Sequence, residues 1–145
     1  MSRQLKVLSL LLGILMLMFG FLKFFPPING WFDIQIQRSH LPHQAVLAGK
    51  LGEMLTGFLF LLPWLRKQLT TRSRNLVLLA ASGLLVVQMV VAIYVHLQTQ
   101  VPASVLPLGI KPPVIPAVVL LLGLLTAFYA GQALRAERAS VRPRR

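Results

Sequence analysis

An all-α membrane protein, a four-helix transmembrane bundle with both termini on the cytoplasmic side, is what the sequence predicts, and three observations carry that reading. Of the 145 residues 56% are hydrophobic and 12% charged, with a mean hydropathy of +0.72, more apolar surface than one soluble core of this size can hide. The apolar residues fall in four continuous runs, each close to the roughly 20 residues that cross a hydrocarbon core about 30 Å thick. Lys and Arg are shared unevenly between alternate loops, which orients such a bundle.

The first run, residues 7–25, follows Arg3 and Lys6 as the apolar part of a signal peptide would, but bulky residues stand where a small-residue cleavage site would be needed, so it reads as an uncleaved first span. Residues 45–65, 76–95 and 116–134 complete the set. None of the four alternates polar and apolar residues as the strands of a lipid-facing barrel do. The loop before the second span places Trp31 and Phe32 where aromatic rings sit at headgroup level, and part of it is expected to lie on the membrane as a short helix. The loop before the fourth span carries Pro102, Pro107, Pro112 and Pro113, which favour extended backbone and prevent a long helix. The whole chain, 1–145, reads as one transmembrane domain ending in a basic tail, 135–145.

Counted outside the membrane, Arg3, Lys6, Arg66, Lys67, Arg72, Arg74, Arg135, Arg138, Arg142, Arg144 and Arg145 lie on one side, against Arg38 and Lys111 on the other. The positive-inside rule makes the first side cytoplasmic. The formal net charge of +12 is therefore topogenic, with anionic lipid headgroups rather than nucleic acid as its partner. The chain has no cysteine, which excludes disulfides, thiolate metal sites and thiol redox chemistry on this chain.

Inside the spans, Lys23, Lys50 and Glu53 each cost about 2.5 to 3.5 kcal/mol on insertion scales and need a reason to be there. Lys50 and Glu53 lie roughly 8 and 12 Å below the outer start of the second span at 1.5 Å per residue, and their i, i+3 spacing lets them pair. Small residues mark expected contact faces: Ala45, Gly49, Gly52 and Thr56 on the second span, bordered by Glu53; Gly13 and Gly20 with Met16 and Lys23 on the first. Ala81, Gln88, Ala92 and His96 share a face of the third. Lys23, Lys50, Glu53 and His96, with Gln88 deeper, thus form a candidate ligand-binding or polar intramembrane cluster. The plainer alternatives are that Lys23 snorkels, that Lys50 and Glu53 only hold helix register, and that His96 is a hydrogen-bonded interfacial residue. His40 and His43 are the candidates for a metal, but Pro42 interrupts any helix that would align them, so no metal is expected.

Taken in order, the GFLK run at 20–23 followed by Pro26, the SHLP run at 39–42, the GKLGE run at 49–53 and the histidine ending the third span resemble the DoxX family of small four-helix membrane proteins. The resemblance spans nearly the whole chain and implies Lys23, Glu53 and His96 as its shared positions. Relatives in that family include a subunit of a thiosulfate:quinone oxidoreductase, partners in bacterial membrane redox complexes and eukaryotic assembly chaperones for receptor channels, so the family does not fix an activity. Lack of cysteine and the basic tail depart from what the family requires or uses. The expectation is a non-catalytic accessory or assembly component of a bacterial inner-membrane or plasma-membrane complex, associating with a membrane-protein partner or with itself. The alternative is a quinone-binding subunit of an oxidoreductase, with Glu53 and His96 on the ring oxygens.

Overall fold

The computed structural model describes residues 1–141, and every regular element among them is helical. Four helices are long and apolar enough to cross a membrane: α1 (Arg3–Leu22), α3 (Gln44–Leu65), α4 (Thr71–Leu97) and α5 (Val114–Val141). A shorter α2 (Ile28–Arg38) joins α1 to α3, and two 3₁₀ turns, Ala103–Val105 and Pro107–Gly109, lie between α4 and α5. α1 packs mainly on α3 and α4 mainly on α5, while α3–α4 and α1–α5 contacts close the bundle. One end of it, the loop end, carries α2 and the 3₁₀ turns; the other carries both termini.

Local chemistry explains where the helices differ from the predicted spans. α1 stops at Leu22, three residues early, because Pro26 and Pro27 follow and the residue before a proline is pushed out of the helical region. α4 begins five residues early, where the Thr70 hydroxyl caps it by accepting from the Ser73 amide at 3.1 Å, a bond that satisfies an orphan donor of the first turn. α5 runs on to Val141, so Arg135 and Arg138 stand on a helix and not in an irregular tail. Ala, Leu, Arg and Glu dominate this stretch and no Gly or Pro interrupts 132–141. Arg142, Arg144 and Arg145 lie outside the described residues.

α2 bears out the expected short helix, but its two aromatic residues part company. Trp31 is 40% exposed, whereas Phe32 and Ile36, one turn apart, are buried against the bundle. Gly49 makes room for the ring: a Cβ there would lie 2.7 Å from Phe32 Cζ. Phe32 is therefore a wall residue and not part of a headgroup belt. The proline-rich loop also folds inward, burying Val101, Val105 and Leu106 beside Val95, with Ile34 and Leu41 packed on them. Lys111 holds it by donating to the carbonyls of Gln98 and Val101, both at 2.5 Å, and Gln35 of α2 donates to the Val105 carbonyl.

The closest helix approach is not on the small-residue stripe of the second span. It falls one residue beyond Thr56, at Gly57, where an added Cβ would sit 2.5 Å from the Leu17 amide nitrogen and 2.8 Å from the Gly13 carbonyl oxygen. Gly52 faces the Gln88 side chain instead, and Gly49 faces Phe32. Gly13 and Gly20 do lie on the contact face of α1 as expected, against Leu61 and Met54 respectively. The core below them, Leu5, Leu12, Met16, Phe60, Leu78, Ala81 and Leu85, is sealed.

Candidate functional site

Gly20 sets the geometry of the site. A Cβ at this position would lie 2.8 Å from the Met54 amide nitrogen and 3.1 Å from Glu53 Cβ, so α1 and α3 nearly touch one turn from Lys23. Carried by that approach, the Lys23 ammonium reaches Glu53 Oε1 at 2.5 Å, with the two side chains only 16% and 12% exposed. The same ammonium stands 4.0 Å from the centre of the Phe32 ring, a cation–π contact that adds to its support where water is scarce. This overturns the predicted pairing within α3. Lys50 is spaced for Glu53, but Glu53 is taken by Lys23, and the Lys50 ammonium turns to the Phe24 ring, 5.5 Å from its centre.

Above this pair lies a cavity of about 800 Å³, within the range of small-molecule sites. α1, α3, α4 and the start of α5 form its sides, with α2 and the 3₁₀ turns at the loop end. Lys23, Glu53, Gln88 and His96 all line it; Lys50 does not. The remaining walls are largely apolar, among them Met16, Phe19, Phe32, Met89 and Val119. Met18, Val87 and Val91 also line it and are 45%, 63% and 41% exposed. At the loop end the lining includes Trp31 and Leu108, also exposed, at 40% and 86%.

The polar residues lining this space carry buried atoms that are incompletely satisfied. Gln88 Nε2 donates to Thr56 Oγ1 at 2.8 Å, which leaves Oε1 without a partner. The His96 ring is 95% buried with its residue only 5% exposed, and Nδ1 is 2.8 Å from the Ala92 carbonyl oxygen. A carbonyl oxygen can only accept, so Nδ1 carries a proton toward Ala92. Nε2 of the same ring has no partner, and neither has Glu53 Oε2. Buried polar atoms without partners cost about 1–3 kcal/mol each, and here three belong to residues that line one cavity, the atoms themselves being closed off from it.

His40 and His43 are both exposed, His40 with a positive φ of 56°, and among the described residues no three His, Asp or Glu side chains are grouped as a metal would need. Reasoning from sequence missed two members of the site. Phe32 had the signal of Gly49 opposite an aromatic-bearing loop. Thr56 was assigned to a contact stripe, yet its hydroxyl orients Gln88. Compared with protein-family models, with curated proteins and with solved structures, the chain matches none.

Proposed function

We propose that this protein is an integral membrane ligand-binding subunit that holds a lipid-soluble, polar-headed molecule of the quinone class in the cavity between its helices. The observation that carries the reading is a largely apolar cavity of about 800 Å³ whose lining includes the intramembrane Lys23–Glu53 pair, Gln88 and His96. A purely structural component needs no such space between its helices, and a cavity of this size beside an intramembrane ion pair favours the ligand reading. The apolar walls suit the tail of such a molecule, with its headgroup near the Lys23–Glu53 pair and His96. The resemblance to the DoxX family belongs to the same proposal, through Lys23, Glu53 and His96.

The test is extraction of protein purified in mild detergent, followed by mass spectrometry of the organic phase. A quinone at close to one per chain is the expected result; a stoichiometric protein partner with no small molecule would return the protein to the accessory reading. The orientation, with both termini cytoplasmic, is supported by eight basic residues on the termini side against two on the loop side among the described residues, as the positive-inside rule reads them. Because the chain has no cysteine, single replacements report it directly. Ser104→Cys, exposed at the loop end, is expected to react with an impermeant maleimide in intact cells, and Gln68→Cys is expected to stay unlabelled. The reverse pattern would invert the topology.

A further inference from the structure

Among the described residues, two that are not glycine hold a positive φ: His40 at 56° and Leu108 at 55°. Histidine visits this left-handed region more readily than most side chains, whereas a bulky apolar residue there is an outlier. Leu108 has a ψ of 16° and is followed by Gly109 at φ 68°, so the glycine stands beside the strained position and not on it. The chain is pinned on both sides of this turn. Val105 and Leu106 are buried, the Gln35 side chain holds the Val105 carbonyl, and Lys111 donates to the carbonyls of Gln98 and Val101. Between these ties the turn carries Leu108 out to 86% exposure, and yet Leu108 belongs to the lining of the cavity.

Backbone strain of this kind persists where the surroundings over-determine it, and it gathers at ligand clamps and switch regions. An exposed leucine also forgoes the gain of burying its apolar surface. A short polar residue at the same tip would meet neither cost, so a leucine there points to something for it to cover. Resting on the ligand reading above, we infer that Leu108 is the closing contact of the cavity: its side chain lies over the bound molecule at the loop end, buries apolar surface against it and slows its release. Its part is retention of the ligand and not recognition of the headgroup.

The experiment is stopped-flow release of decyl-benzoquinone from the purified full chain in detergent, with thermal unfolding of the ligand-free protein measured beside it. Leu108→Asn separates strain from contact, because asparagine tolerates the left-handed region and offers no apolar side chain. The expected result is a ligand-free protein at least as stable as the native chain, with release at least about fivefold faster, as loss of a partly buried leucine contact implies. Leu108→Gly, which also relieves the backbone, is expected to behave alike, so that poor folding of one variant leaves the other to decide. Val114→Asn removes an exposed apolar side chain that does not line the cavity and is expected to leave release unchanged. Native release rates in the Leu108 variants, or equal acceleration in Val114→Asn, would overturn the closing role while leaving the ligand reading intact. No binding of decyl-benzoquinone by the native chain would instead remove the ligand reading, and the closing role with it.

Discussion

The two halves of this bundle use the same four helices to opposite ends. Toward the termini, Gly13 and Gly57 let the α1 and α3 backbones meet, Leu12, Phe60, Leu78 and Leu85 are fully buried between the helices, and the one indole there, Trp64, donates to Ser9 Oγ at 3.1 Å. Toward the loops, the helices hold Lys23, Glu53, Gln88 and His96 around a cavity, and three acceptor atoms go without partners. Packing in lipid gains nothing from excluding water, so van der Waals contact through small residues has to hold helices together. The sealed half supplies that contact. It leaves the loop half free to open a cavity, although the sealed half holds a partnerless buried atom of its own in Ser82 Oγ, and the difference teaches that stability and site occupy separate levels of one helix pair.

The largest effect is expected from breaking the sealed half. Gly57→Leu would press a side chain onto the Leu17 amide and the Gly13 carbonyl, backbone atoms that cannot yield, and overpacking that forces backbone apart costs about 1–3 kcal/mol or more. Loss of most monodisperse protein in detergent is the outcome to look for by gel filtration. Gly83→Leu, at a position with nothing within 4 Å, should elute as the native chain does. Equal losses at the two positions would mean that the α1–α3 seam does not hold the bundle.

A smaller effect should come from the boundary between the halves. Glu53→Leu leaves the Lys23 ammonium uncompensated at a site where its side chain is 16% exposed, and that remaining exposure reduces the penalty of a fully buried pair to about 1–2 kcal/mol. The double change Lys23→Leu with Glu53→Leu is expected to regain most of the thermal stability but none of the ligand binding. Smallest of all is Lys50→Leu, which gives up a contact 5.5 Å from the Phe24 ring, worth about 0.5–1 kcal/mol. Thermal unfolding of these variants ranks the partners. Should Lys50→Leu destabilise as much as Glu53→Leu, the Lys23 pairing would lose its standing.

Four long helices were legible in the sequence because a span is a property of consecutive residues: about 20 apolar side chains suffice, whatever they pack against. The sequence grouped Lys23, Lys50, Glu53, Gln88 and His96 for a related reason, since a polar residue within such a run tends to face inward; four of them line one cavity and Lys50 does not. Which of them pair was not legible. Lys50 and Glu53 satisfy the helical i, i+3 rule, and only the approach of α1 at Gly20 hands Glu53 to Lys23, because contact between helices depends on which small residue of one meets the backbone of the other. The same holds for Gly57 over Gly52, both glycines on one helix, of which only the first meets the α1 backbone. Phe32 is a wall and Trp31 is exposed because α2 turns one face to the bundle, a choice made by the space that Gly49 leaves on another helix. Periodicity and composition act along the chain and can be read there; cavities, ion-pair partners and orphaned acceptors arise between helices, where their relative placement decides.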